Sequence, residues 1–346
     1  MNYSRKGVRA KQRALNSKGT KIKKMLGITF LKAFLIAFIS FCVIGLCLGI
    51  GVFNGIIATA PDISTIDVTP SGFATTLYDC EGHEMIKLVA EDSNRTYVTM
   101  DMIPQDLADA FVAIEDARFY THNGIDIQGI LRAATYVIRD RSLSQGASTI
   151  TQQLIKNNVF DNWTNETPME SIRRKIQEQY LALELEKVMT KEEILELYMN
   201  SINLGHGTLG VQAAALRYFN KPVYELTLSE CAVIAGITQN PSYYDPITHP
   251  ENNEDKRETV LNYMEEQGYI TPQEHEEALA DDVYERIQVT NQSVTSSSVY
   301  SYFVDEVIET ADEDLTELFI NNGYTESQAS TMAYNLLFSG GLSIYT

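Results

Sequence analysis

The first 61 residues contain no aspartate or glutamate, and the last 60 contain no lysine or arginine. The leading block carries +10 and the remainder −29, so the overall −19 of the 346-residue chain hides two opposite characters. Cysteine is scarce. Of four residues, Cys42 and Cys47 fall in one apolar run, while Cys80 and Cys231 lie far apart. That excludes a disulfide-built scaffold. H-E-x-x-H, C-x-x-C and Walker sequences are missing, no Ser/His/Asp order is identifiable, and no strand, Gly-rich turn and helix read together as a dinucleotide site. Zinc-protease, dithiol and nucleotide chemistry are therefore not expected. Charge itself is absent from Ala33 to Pro61, "AFLIAFISFCVIGLCLGIGVFNGIIATAP".

That run exceeds the roughly 20 residues a helix needs to cross a bilayer. It also exceeds the apolar region of about 7–15 residues in a cleaved signal peptide, and it lacks a convincing A-x-A-like exit. A retained anchor is expected. Nine Lys/Arg in residues 1–24 predict a cytoplasmic N-terminus, with Lys32 placed to snorkel. Everything after about residue 60 is then extracytoplasmic. The N-x-[ST] matches at Asn94, Asn162, Asn165 and Asn291 are read as chance.

After the anchor the chain changes character twice. Residues 72–100 alternate as strands do ("FATTLYDCEG", "EMIKLVA", "RTYVTM"), with "DCEGHE" as a turn. From Pro104 to about Leu279, amphipathic helical runs are broken by "HNG", "SQG", "NLGHG" and "QNPSYYDP". From residue 287 a Ser-rich stretch, "NQSVTSSS", opens a tail with eight acids. The tail ends at "GGLSIYT", which reads as a strand beginning.

Four clusters carry the candidate chemistry. In "AIEDARFYTHNG" the acids Glu115 and Asp116 sit at the C-terminal end of a helix, where the dipole disfavours negative charge. The plain reading is a surface pair of Glu115 with Arg118; the functional one is a general acid or base set beside Phe119, Tyr120 and His122. In "GASTITQQLIKN", Thr149 and Gln152 fit a T-x-x-Q capping box. A hydroxyl-rich helix start with Gln153 and Lys156 also suits an anion.

In "RRKIQEQ", Arg174 and Lys175 are four and three residues before Glu178, the spacing of an ion-paired helix face. Yet only 17 basic residues serve everything after residue 61, and eight of them fall between Arg132 and Lys187. Such local positive charge in an acidic body points to an anionic ligand. The fourth cluster, "KEEILELYMNSINLGHGTLGVQAAALRYFNK", is mainly architecture: a helix, a loop on glycines 205, 207 and 210, and a second helix, with Lys221 as a further cation. Two carboxylates, Glu115 and Glu178, suggest glycosidic chemistry, and the cations add a phosphate or pyrophosphate at the reacting centre.

Taken in order, "EDARFYTHNG", "GASTITQQLIKN", "RKIQE" and "KEEILELYMN" closely resemble the successive motifs of peptidoglycan glycosyltransferases, the transglycosylase modules of class A penicillin-binding proteins and their monofunctional relatives. The resemblance covers roughly residues 75–280. It implies a mainly α, lysozyme-like glycosyltransferase domain with a small β element, preceded by one N-terminal transmembrane helix. It also implies polymerisation of lipid II into β-1,4 glycan with release of undecaprenyl pyrophosphate. Glu115 would be the base and Glu178 the second acid. Lys156, Arg174, Lys175 and Lys221 would neutralise pyrophosphate, and Ser148, Thr149, Gln152 and Gln153 would line the donor site. Asp116, Phe119, His122 and Asn200 would support them. The implied partners are lipid II, the growing lipid-linked strand, the cytoplasmic membrane and a cell-wall synthesis complex, with no nucleic acid. The family is helped by divalent cations such as Mg or Mn, but no metal-ligand cluster is visible in the sequence. Asn220 stands where the family commonly has Gly, and Met199 where it has Leu.

The expected organisation is a cytoplasmic basic tail (1–25), an anchor (26–60), a β-containing linker (61–103), the glycosyltransferase domain (104–285) and an acidic linker (286–346). "GGLSIYT" resembles the start of a transpeptidase domain, whose S-x-x-K, S-x-N and K-T-G sequences are not found as a set after residue 60. A lysozyme-like hydrolase or lytic transglycosylase, and a non-catalytic scaffold for wall synthesis, are the alternatives.

Overall fold

The computed structural model describes residues 4–15, 17–63, 66, 68–70, 72–88, 95–140, 146–160, 166–205, 207–287 and 302–346. The Ser-rich stretch 291–298, Arg141 and all four N-x-[ST] asparagines lie outside them. Two units are distinguished, Met1–Ala60 and Pro61–Thr346. The first holds helices α1 (Arg5–Leu15) and α2 (Lys18–Ile57). Within α2, Met25–Ile57 is 33 residues long and contains an 18-residue window with a mean hydropathy of 2.7 and no buried share. It is long and apolar enough to cross a membrane.

The second unit is mainly α, as expected. Its main core is built by α3 (Gln105–Glu115), α5 (Ile150–Val159), α6 (Pro168–Leu185), α7 (Lys191–Ser201), α8 (Val211–Phe219), α9 (Leu228–Gly236), α10 (Pro250–Glu266) and α11 (Pro272–Leu279), with α4 (Ile127–Asp140) between α3 and α5 in sequence. Helix α3 packs on α9 and α10, and α5 on α6 and α7. Threonine marks the starts. Thr167, Thr190, Thr227 and Thr271 each form a reciprocal capping box with the glutamate three residues on. Each such cap contributes about 1 kcal/mol. Thr149 starts α5 but closes only half of its expected box. Its hydroxyl accepts from the Gln152 backbone N–H, while the Gln152 side chain donates instead to the Gly124 carbonyl at 3.4 Å.

Strands β1 (Thr75–Tyr78) and β2 (Glu84–Leu88) form the expected hairpin, paired Thr75 with Leu88 and Leu77 with Ile86. The Asp79 carboxylate closes its turn by accepting from the backbone N–H groups of Glu81 and His83. The third expected strand, "RTYVTM", does not join them; it makes a single bridge, Arg95 with Leu209. The reason is competition from a side chain distant in sequence. The Asn200 amide accepts from the Val98 N–H at 2.9 Å and donates to its carbonyl at 2.8 Å, taking the groups a strand partner would need. The place beside β1 goes to β3 (Ser343–Tyr345), the strand expected at "GGLSIYT", running parallel with Tyr78 opposite Tyr345. Helices α12 (Tyr302–Asn321) and α13 (Glu326–Ser339) pack with the sheet in a second, smaller core around Leu77, Leu88, Val304 and Leu337.

Two loop positions need special backbone. Glycines 205, 207 and 210 have the spacing G-x-G-x-x-G, but they follow helix α7, not a strand, so they are not a dinucleotide turn. A Cβ on Gly210 (φ 82°) would lie 2.9 Å from the Asn200 carbonyl oxygen. Asn220 ends α8 in the left-handed region (φ 52°, ψ 38°), the only non-glycine residue with positive φ among those described. Asparagine adopts that conformation more readily than other side chains, so the departure from Gly keeps the same backbone.

Candidate active site

Helix α3 stops at Glu115 because Asp116 leaves helical geometry (φ −155°, ψ 71°). The Asp116 carboxylate accepts from His122 Nε2 at 2.9 Å and from the Ile150 N–H at 3.1 Å. Ile150 is the first residue of α5. An acid that is misplaced with respect to α3 therefore sits where the α5 dipole favours it. The chain between them is locked by Gly124 (φ 79°), whose carbonyl accepts from the Thr149 hydroxyl at 2.7 Å. A Cβ at Gly124 would lie 2.5 Å from the Ala182 carbonyl oxygen on α6. Phe119 is buried edge-on to Tyr120 and His122, with the Lys191 ammonium 4.4 Å from its ring centre. These aromatics thus brace the turn.

Glu115 itself is held by polar groups. Gln153 Nε2 donates to its Oε2 at 2.7 Å, and the Thr238 hydroxyl donates to its Oε1. Tyr198 donates to Gln153 Oε1 at 3.4 Å, which orients the amide. Burial first, then the charges of Glu115 and Asp116, push the Tyr198 phenol well above its ordinary pKa, so it remains a donor. Arg118 does not pair with Glu115. Its guanidinium takes Asp126, with Nε 3.1 Å from Oδ1.

One turn of α6 supplies the cationic group. Glu178 is fully buried and ion-paired with both Arg174 and Lys175, the latter at 2.7 Å. Arg174 Nε also binds Glu166 at 2.8 Å, and Lys175 Nζ donates to Ser148 Oγ at 3.1 Å. A buried carboxylate requires such pairing to offset its lost hydration. Lys156, on α5, has its pKa lowered by burial and then by the Lys175 charge, while Glu178 and Glu115 oppose the shift. Its ammonium is thus within electrostatic reach of both candidate acids.

A cleft of about 940 Å³ joins these groups. Of the expected residues, Glu115, Asp116, Ser148, Thr149, Gln153, Lys156 and Lys175 line it. Arg174 and Glu178 are not among the lining residues; Glu178 pairs with the lining Lys175, and the charges of both bear on the lining Lys156. Gln152, Phe119, His122 and Asn200 hold the surrounding chain. Lys221 is drawn elsewhere: its ammonium lies 2.6 Å from the buried Glu230, which also binds Arg286, and it is not among the lining residues. Among the described residues no three His, Cys, Asp or Glu side chains converge as metal ligands. The residues therefore do not fit a protein-built site for the divalent cation that the resemblance implies, and no step is assigned to one.

Several lining residues escaped the sequence reading, among them Thr238, Gln239 and Lys256. Lys256 Nζ donates to Gln239 Oε1 at 2.9 Å; burial lowers its pKa and the Glu115 charge opposes this. The available signal was on α10, where Lys256, Thr259 and Tyr263 recur at i, i+3 and i+7 and all line the cleft.

The mainly α domain thus sets a hydrogen-bonded carboxylate and an ammonium cluster around one polar cleft. The family model described as transglycosylase matches residues 81–265. The chain is 40% identical over 339 residues to penicillin-binding protein 1A of Clostridium botulinum, covering 95% of this chain and 39% of that protein. It is 39% identical over 254 residues to penicillin-binding protein 1A of Escherichia coli, covering 73% and 29%. Identity with penicillin-binding protein 1F of Bacillus subtilis is 37% over 272 residues, covering 76% and 36%. The chain belongs to the transglycosylase family. It spans less than two fifths of the length of these relatives.

Proposed function

We propose that the chain is a membrane-anchored, inverting peptidoglycan glycosyltransferase that polymerises lipid II. The observation that carries this reading is that Glu115 shares one cleft with the ammonium groups of Lys156 and Lys175. A base beside a cation pair suits attack by a sugar hydroxyl on a carbon whose leaving group is a pyrophosphate. Glu115 takes the proton of the acceptor's hydroxyl. The resulting oxygen bonds to the donor's anomeric carbon from the face opposite the phosphate, forming the β-1,4 link as the carbon–oxygen bond to pyrophosphate breaks. The lipid pyrophosphate departs with the bonding electrons, and Lys156 and Lys175 stabilise the charge that develops on it.

Glu178 and Ser148 hold Lys175 in place, and Arg174 completes the buried cluster. In this reading Thr149 and Gln152 shape the donor site by fixing the start of α5. Lys221 is left out of the clamp. Met25–Ile57 would anchor the chain with its N-terminus in the cytoplasm and its catalytic domain on the outer face, where lipid II, the growing strand and other wall-synthesis proteins meet it.

Incubation with lipid II and, separately, with finished glycan strands tests the reading. Polymer is expected from the first. Shortening of the second with no polymer from the first would make the protein a hydrolase or lytic transglycosylase instead. Lys156→Ala and Arg174→Ala are each expected to cut turnover strongly, and wild-type rates in both would remove the pyrophosphate clamp.

A further inference from the structure

Resting on the reading of Glu115 as the base, we infer that Thr238 is its positioning residue: the Thr238 hydroxyl holds one carboxylate oxygen so that the base is presented in a single orientation. Glu115 closes α3, and the next residue is already outside helical geometry. A glutamate at such an end has three side-chain torsions to restrain, and ordering them costs conformational entropy. Its two oxygens are met by different parts of the fold. Gln153 reaches Oε2 from α5, and Thr238 reaches Oε1 from the turn after α9. Two contacts from separate elements fix the plane of the carboxylate, which one alone leaves free to rotate.

The proton in the second contact belongs to threonine, because an ionised carboxylate only accepts. The same hydroxyl lies 3.2 Å from the Ala235 carbonyl, a bond commonly made at a helix end. A hydroxyl has one hydrogen, and the bond to a charged acceptor is the stronger of the two. The branched Cβ limits threonine to few rotamers, so the hydroxyl is pre-set. The neighbouring Gln239 accepts from Lys256, whose charge also reaches Glu115. The short turn after α9 thus serves the base directly through Thr238 and a nearby cation through Gln239.

The test uses the full chain in membrane mimetic with lipid II. Thr238→Val keeps the branched shape and removes the donor. It is expected to lower kcat about tenfold to a hundredfold, the range for losing one hydrogen bond to a charged group. KM is expected to stay within about twofold, because uniform binding is not touched. Thr238→Ser restores the donor and is expected to recover most of the rate. In a Glu115→Gln background, Thr238→Val should add nothing. Wild-type kcat in Thr238→Val, or a Thr238→Ser enzyme as slow as Thr238→Val, would overturn the assignment. If the wild type makes no polymer, the failure is that of the functional reading. Thermal unfolding of the wild type, the two single variants Thr238→Val and Glu115→Gln, and their double variant then decides the contact: non-additive changes support it and additive ones sink it.

Discussion

Glu115 receives its hydrogen bonds from neutral groups, the Gln153 amide and the Thr238 hydroxyl, whereas Glu178 is shut away from solvent between Arg174 and Lys175. The difference separates two uses of one side chain. In the proposed reaction, the carboxylate held by neutral donors in an open cleft is the one that meets an incoming proton. A carboxylate enclosed by cations is committed to holding them, and Glu178 bears on the cleft through the paired Lys175 and through its charge on Lys156. Lys156 lies in the field of both.

The largest effect that would break this contrast is expected at Glu115. Glu115→Gln should lower polymerisation by about 10²–10⁴-fold, the usual weight of a general base, with little change in thermal stability. A variant that keeps its rate removes Glu115 from the chemistry. Glu178→Gln should differ in kind. It leaves Arg174 and Lys175 without their buried counter-charge, so denaturant unfolding is expected to show a loss of about 3–5 kcal/mol alongside lost activity. Equal stability in the two variants would erase the distinction between base and brace.

Lys156 sharpens the comparison through pH. Its pKa in the folded protein is below the ordinary 10.5. The folded state therefore carries a penalty for its charge that is fully present below the folded value and vanishes above 10.5. Lys156→Met should gain on the order of 1 kcal/mol of stability at neutral pH while losing turnover. That gain should shrink as pH rises toward 10.5, which unfolding curves across alkaline pH would follow. A smaller effect is expected at Asp116. Asp116→Asn removes the anion at the start of α5 and should cost about 1 kcal/mol in unfolding free energy, with turnover reduced much less than in Glu115→Gln.

Much of the helical architecture was legible because it is local. The helix expected to close at the acids of "AIEDARFYTHNG" ends at Glu115, and the second helix expected in the fourth cluster is α8, "VQAAALRYF". The exceptions are places where a distant group took a local one's partner. Gln152 left its capping box for the Gly124 carbonyl, and Asn200 drew Val98 out of the sheet. The site divided the same way. Lys175 and Glu178 meet by helical spacing alone, but Thr238 lies 123 residues beyond Glu115 and has no motif to announce it.

What the sequence determined by itself was charge segregation, an apolar helix, the order of the helices and the residue types available to the chemistry. These follow from periods of a few residues and from composition. The tertiary structure alone decided what surrounds each side chain. It set Asp116 on the dipole of α5, turned Lys221 away toward Glu230, and seated β3 beside β1 across most of the chain's length. The physical reason is that a carboxylate's function depends on which donors surround it, and those donors come from helices whose packing no local period encodes.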